Sequence, residues 1–293
     1  MQIIRIGGDF PPELEIYTAL KENQLARCRE PEPGLFIAES PQIVRMALEA
    51  GYRPESFLLE EGSGEKFLKD MYPKCLSAEG TEQKEEEGAT EECPETKAAD
   101  QAGQDICVYI ASHEKIRTLA GYELTGGVLA AFQRKPLPAP EEVFRGAKRA
   151  VALECVMNPR NVGSIFRSAA AIGFDAVLLT KGASDPLYRR AARVSMGTVF
   201  QIPWTFAEDL SVLKDQGFVT VAMALTDCSV SMGDPVLQNH RKLAVVMGSE
   251  RSGLKEETIR ACDYTAKIPM KHGVDSLNVA AASAVAFWEL RDR

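Results

Sequence analysis

Three short polar segments each follow a strongly apolar run, and they hold the side chains best suited to chemistry: NPRNVG at 158–163, GSERSGL at 248–254 and MKHGVDSLN at 270–278. In the first, Pro159 and Gly163 shape a turn around Asn161, and Arg167 interrupts the otherwise small and apolar run SIFRSAAAIG. A guanidinium on a face crowded by alanine and isoleucine is costly unless it meets an anion or points into a cleft. A structural ion pair or an outward-facing arginine is the plainer alternative. The second segment offers Gly248, where backbone can approach closely, and Glu250 directly after LAVVM. Glu250 could equally be an early-turn carboxylate favoured by a helix dipole. In the third, Ser276 and Asn278 precede a long alanine-rich stretch, as N-caps do, and the N–H groups of such a terminus also form an anion site.

Several other chemistries are poorly supplied. No GxGxxG lies between a strand and a helix and no GxxxxGK[ST] occurs, so the common dinucleotide and phosphate loops are missing. Seven cysteines without a CxxC pair argue against a disulfide framework and a zinc site, and three histidines leave little for a metal centre or a Ser-His-Asp triad; no metal is expected. No apolar run approaches the roughly 20 residues needed to cross a bilayer, and MQIIRIGGDF lacks a signal-peptide pattern, so a cytoplasmic protein without membrane segments is expected.

The elements that must position those loops alternate regularly. AVALECVM, AVLLT, VFQIPW, FVTVAMAL, LAVVMG and TAKIPM read as buried strands, separated by the helical patterns SIFRSAAAIG, PLYRRAARVSMG, AEDLSVLKDQG, KEETIRACDY and NVAAASAVAFWELRDR. Continuous apolar strands between helices predict a mainly parallel sheet covered on both faces, with ligands outside the carboxyl ends of its strands. The first half reads as a smaller α/β domain. Its helix over 11–33 is followed by the strand GLFIAES and the helix SPQIVRMALEAG, with Ser40 as N-cap and Pro41 at its first position. Strands SFLLEE, ICVYIAS and GGVLAAFQR and helices GEKFLKDMYP and EKIRTLAG complete it. PLPAPEEVFRGAKR reads as a linker, placing the boundary near Ala147.

A net charge of −8 looks wrong for a nucleic-acid partner, but nine Asp/Glu and two Lys between Ser77 and Gln104 account for −7 of it. That stretch has almost no large apolar residue, which predicts a disordered acidic insertion. Basic residues gather in Arg134–Arg149 and in Lys181–Arg193, each +3 by count, and support RNA binding only together with other signals.

Taken together, NPRNVGSIFRSAAAIGFDAVLL, LAVVMGSERSGL and IPMKHGVDSLNVAAASAVAFWEL resemble, in order, the three motifs of the SpoU/TrmH branch of the SPOUT RNA methyltransferases. The resemblance implies that residues 148–293 form a SPOUT methyltransferase domain with a deep trefoil knot, a rare exception to the unknotted rule. It implies S-adenosyl-L-methionine bound in the knot loops, a homodimer through the same domain, and methylation of a ribose 2′-hydroxyl of rRNA or tRNA. GLFIAESPQIVRMALEAG is similar to the small L30e-like RNA substrate-binding domain found ahead of the knot in many members, here residues 1–147. That extra domain favours rRNA. By position, the family's active-site residues fall on Asn161 and Arg167, on Glu250, and on Ser276 and Asn278; Gly248, Ile268 and Leu277 match positions whose backbone contacts the cofactor. The resemblance also implies that Arg167 faces the partner's cofactor site, that Glu250, Ser276 and Asn278 frame the loops, and that Asn161 orients the arginine or the target nucleotide. Asn158 stands where Asp is common, and Arg251 where Gly is frequent. A non-catalytic knotted RNA-binding or assembly protein is the alternative, as is a small-molecule enzyme; the retained Arg167, Glu250, Ser276 and Asn278 speak against the former.

Overall fold

The computed structural model describes residues 1–73 and 106–292, so the acidic stretch 77–104 lies outside the described residues. The chain divides into two units, Met1–Lys135 and Pro136–Arg293.

In the first unit the elements run β1 (Gln2–Arg5), α1 (Glu15–Thr18), α2 (Glu22–Leu25), β2 (Leu35–Glu39), α3 (Pro41–Glu49), β3 (Pro54–Glu60), α4 (Ser63–Met71), β4 (Cys107–Ala111), α5 (His113–Ala120) and β5 (Val128–Gln133). They build a five-stranded sheet of order β1-β4-β3-β5-β2, in which β5 is antiparallel to both neighbours. β1 is a strand that the apolar pattern did not single out; it pairs in parallel with β4 at the sheet edge. The helix expected over 11–33 is broken, because Lys21 is extended (ψ 154°) and its N–H is taken by the Gln24 side chain at 2.8 Å. The break lets Leu14, Tyr17 and Leu25 all reach the core, where the Tyr17 hydroxyl donates to the Ser56 carbonyl and accepts from the Ala131 N–H. Ser40 opens α3 by position alone: its φ is +86° and its side chain makes no cap bond.

The second unit contains α6 (Pro140–Val143), β6 (Arg149–Leu153), α7 (Pro159–Ile172), β7 (Ala176–Thr180), α8 (Arg189–Val194), β8 (Trp204–Ala207), α9 (Ser211–Asp215), β9 (Val219–Met223), β10 (Val230–Ser231), β11 (Leu243–Met247), α10 (Glu256–Ala261), β12 (Tyr264–Lys267) and α11 (Val279–Leu290). Its seven strands lie in the order β10-β12-β9-β11-β6-β7-β8, every pair parallel. Strands β6, β7 and β11 are buried throughout, as continuous apolar runs require in a sheet covered on both faces. The chain leaves β6 toward β7 and β8, then returns to lay β9, β11 and β12 on the other side. The crevice of a parallel sheet therefore opens between the carboxyl ends of β6 and β11.

Two further expectations are corrected. VFQIPW is not a strand: Thr198–Phe200 is a 3-10 turn and β8 starts only at Trp204. Pro203 has no N–H to give a ladder and joins it only through its carbonyl, which accepts the Val177 N–H at 3.0 Å; the Trp204 indole donates to the Val199 carbonyl. The division between units falls at Lys135/Pro136, not near Ala147. The reason is that Val143, Phe144 and Ala147 are buried in one cluster with Ala150, Leu178, Phe218 and Val246, so the proline-rich segment is part of the second unit's core. Phe144→Ala should accordingly cost about 3–5 kcal/mol of this unit's stability by denaturant unfolding; a loss below ~1 kcal/mol would make the segment a tether.

Candidate active site

Because β6 and β11 are neighbours in register Leu153↔Met247, the loops that leave them start side by side. The Glu154 N–H adds one more ladder bond, to the Met247 carbonyl at 2.9 Å. After β11 the chain makes a tight turn, closed by mutual backbone bonds between Ser249 and Gly253 of 3.0 and 2.9 Å. Gly248 is what permits it. A Cβ there would lie 2.4 Å from backbone atoms of Gly253 and Leu254, closer than real Cβ contacts come, and those atoms are main chain that cannot swing away.

The turn carries Glu250, and the carboxylate reaches across to the first loop. Its Oε2 accepts the Met157 N–H at 3.2 Å, and its Oε1 accepts the Asn158 N–H at 3.1 Å and the Asn161 amide Nδ2 at 2.9 Å. Partial burial pushes this carboxyl up, but the hydrogen bonds from Asn161 and from backbone N–H groups, those of Asn158 and Met157 included, outweigh it and hold Glu250 below the usual carboxylate range. Asn161, 8% exposed, opens the first turns of α7. Its Oδ1 accepts the Asn278 Nδ2 at 3.3 Å, and the Asn278 Oδ1 accepts the Ala280 N–H at 2.9 Å as the N-cap of α11. Each of the three loops thus contributes one side chain to a single chain of hydrogen bonds, Asn278 to Asn161 to Glu250.

The other expected residues stand apart from this chain. Asn161 spends both ends of its amide on Glu250 and Asn278, so it bridges loops, and no hydrogen bond joins it to Arg167 among the described residues. Arg167 is exposed on α7, six residues on from Asn161. Ser276 is exposed in the third loop and joins no hydrogen bond of the frame among the described residues. Ile268, half-buried, follows the last residue of β12, and Leu277 is 42% exposed just before α11. Within 270–277 the backbone closes one internal bond, Val274 N–H to Lys271 carbonyl, among the described residues.

Sequence reasoning passed over Glu154. Buried just after β6, its carboxylate accepts the Lys255 N–H at 2.9 Å and the Thr258 hydroxyl at 2.5 Å, which ties down the start of α10 and anchors the far end of the Glu250 turn. A lone acid inside AVALECVM was the available signal. Asn158 also does more than its residue type suggested: its Oδ1 caps α7 through the Arg160 N–H at 3.0 Å. Among the described residues no group of three or more His, Cys, Asp or Glu is placed to hold a metal ion.

The depressed Glu250 ionisation fixes a sign. Stability from its ionised contacts is present above the ordinary glutamate pKa of about 4.3 and is lost as pH falls through the lower folded value. Glu250→Gln should therefore melt below wild type at pH 7, and the gap should narrow as pH drops under about 4. A gap that stays constant down to acid unfolding would remove the ionised carboxylate from the account.

Residues 148–288 match the SpoU rRNA Methylase family. The chain is 40% identical over 195 residues to an uncharacterized tRNA/rRNA methyltransferase of Mycobacterium bovis, covering 65% of this chain and 68% of the relative. It is 31% identical over 193 residues to the 23S rRNA (guanosine-2′-O-)-methyltransferase RlmB of Acinetobacter baylyi, covering 63% and 77% respectively. Among solved structures, the AdoMet-bound rRNA methyltransferase from Sinorhizobium meliloti superposes with a TM-score of 0.76 at 22% identity, over 99% of this chain and 98% of that one, a likeness of fold. With three ordered motifs meeting at one edge of a parallel sheet and this degree of identity to its relatives, the chain belongs to the SpoU rRNA Methylase family, the SpoU/TrmH-type RNA methyltransferases.

Proposed function

We propose that the protein transfers a methyl group from S-adenosylmethionine to a ribose 2′-hydroxyl of RNA, with rRNA favoured over tRNA. The observation that carries this reading is the hydrogen-bonded chain of Asn278, Asn161 and Glu250, which ties the three motif loops together at the carboxyl ends of β6, β11 and β12. The relative from Acinetobacter baylyi, named for guanosine-2′-O methylation of 23S rRNA, supports the ribose as target. The residues present suit an adenosine-bearing donor. Ile268 and Leu277 offer apolar side chains, and the largely unbonded backbone of 270–277 offers N–H and carbonyl groups. These loops, with the turn at Gly248, are the residues that would hold it.

Bound there, S-adenosylmethionine supplies an electrophilic methyl on a sulfonium. The protein's own task is alignment and handling of the hydroxyl proton. Glu250 and Asn161 hold two loops in fixed register, and Asn278 ties the third to them. A guanidinium is effectively always protonated, so Arg167 is assigned to positioning the target ribose and stabilising the developing oxyanion, with an RNA phosphate or water taking the proton. Ser276, exposed beside Leu277, is left to contact substrate or donor.

Arg167 lies outside the hydrogen-bonded frame of its own chain, which fits a homodimer in which it serves the partner's site. The last helix supports that arrangement. In α11, Ala281, Val285 and Trp288 are exposed at successive turns, Trp288 by 57%, leaving an apolar stripe for a second copy to cover. The reading includes the family's trefoil knot in residues 148–293, an L30e-like RNA-selecting role for the first unit, and a cytoplasmic location.

Arg167→Ala should abolish methyl transfer to unmodified total RNA while leaving S-adenosylmethionine affinity by calorimetry nearly unchanged. Mixing it with Asn278→Ala chains should restore part of the activity, and a large loss of cofactor affinity in the arginine variant would refute its assignment. Comparison of 2′-O-methyl sites in RNA from cells with and without the gene tests the reaction itself; identical maps would overturn it.

A further inference from the structure

The two basic blocks each spend most of their charge within the fold. In Arg134–Arg149, Arg134 donates to the Leu35 carbonyl, Lys135 donates to the Ala50 carbonyl and lies over the Tyr52 ring, and Lys148 pairs with Asp292. Arg149 is 6% exposed, its guanidinium donating to the carbonyls of Leu290, Lys148 and His240. Of that block Arg145 is exposed, and its side chain forms no hydrogen bond or ion pair among the described residues.

In the second block Lys181 pairs with Glu208 at 2.5 Å and Arg189 and Arg193 have contacts of their own, whereas the side chain of Arg190 makes none among the described residues, and it stands beside two arginines of α7. Gly163 of α7 is pressed against α8, so closely that a Cβ there would come within 2.4 Å of the Ala191 carbonyl oxygen. Arg160 and Arg167 lie three residues before and four after Gly163, on the same stripe of α7. On α8, Arg190 directly precedes Ala191 and Arg193 follows Ala192. Arg160, Arg167, Arg190 and Arg193 are all exposed, and Arg189 is half-buried. The side chains of Arg160, Arg167 and Arg190 form no hydrogen bond or ion pair among the described residues. From Asn158 to Phe200 the acids are Asp175 and Asp185; Asp175 accepts backbone N–H groups at the amino end of β6, and Asp185 accepts the Leu187 N–H and has a further contact of its own.

Guanidinium groups gathered on two packed helices repel one another unless an anion bridges them, and their planar donors match phosphate oxygens. Arg160 is also the chain neighbour of Asn161, so this surface begins at the site. We propose that the arginine face of α7 and α8 holds the backbone phosphates of the RNA strand beside the target nucleotide, with Arg160 and Arg190 as its principal contacts. The proposal rests on the reading of the protein as an RNA methyltransferase and adds which face carries the strand.

The test is an Arg160→Gln/Arg190→Gln double variant of the full chain, titrated with a mixed-sequence RNA hairpin across a salt series and assayed on unmodified total RNA. Losing two phosphate contacts should flatten the slope of log K against log salt by about 1.4–1.8 and weaken binding roughly tenfold or more at 0.1 M salt. KM for RNA should rise with S-adenosylmethionine affinity unchanged, while Arg145→Gln, the same one-charge change as Arg190→Gln made in the first block, should match wild type. Should the double variant melt lower than wild type, Arg190→Gln alone must lower the slope by about half as much. A wild-type slope and KM in these variants, or an equal effect of Arg145→Gln, overturns the proposal alone if the wild-type protein still methylates RNA. A wild-type protein that neither binds nor methylates RNA overturns the functional reading with it.

Discussion

An ionised carboxylate taken partly out of water must be hydrogen-bonded, and in this protein that demand organises the working end of the second unit. Glu250 can only accept, so the Asn161 amide must turn its NH2 toward it. That leaves the Asn161 oxygen facing the other way, where only a donor is acceptable, and Asn278 supplies one. Asn278 in turn presents its own oxygen to the first N–H groups of α11. The acceptor at one end and the helix terminus at the other thereby set both amide orientations. The Met157 and Asn158 N–H groups, which belong to a loop with no ladder partner, are satisfied by the same carboxylate. One charge fixes the register of three loops that are far apart in sequence.

Much of this was legible from the amino acids. Strands β6, β7 and β11 are buried throughout, so their sequences carry little polar alternation to confuse the reading, and the polar loops after β6 and β11 stand out by contrast. What could not be read is who bonds to whom. Glu250 and Asn161 are 89 positions apart, and no periodicity pairs them. Glu154 looked like an imperfection in an apolar run because its partners, Lys255 and Thr258, lie about a hundred residues on. The failures at VFQIPW and at 11–33 have a common origin. In each, one local backbone event, an absent N–H at Pro203 or an extended Lys21, overrides a pattern of side chains.

Charge shows the same limit. Arginines that count alike in the sequence are not equivalent once folded, since the Arg149 guanidinium is consumed by the carbonyl oxygens of Leu290, Lys148 and His240 while the Arg190 side chain is not. Composition counts charges without seeing the backbone dipoles that occupy them. Gly248 and Gly163 make a related point. Both are dictated by neighbouring main chain, one by the turn at Gly253 and the other by α8, so glycine at these two positions answers to packing.

The strand order has a consequence for how the chain is made. β11 is hydrogen-bonded to β6 but leaves the ribosome about 90 residues after it, so one edge of β6 stays bare while β7 through β10 are synthesised. An open edge of continuous valine, alanine and leucine is the kind of surface on which chains cross-associate. During that interval the nascent protein depends on whatever shields that edge, a vulnerability that ends only when residues 243–247 slot in beside it.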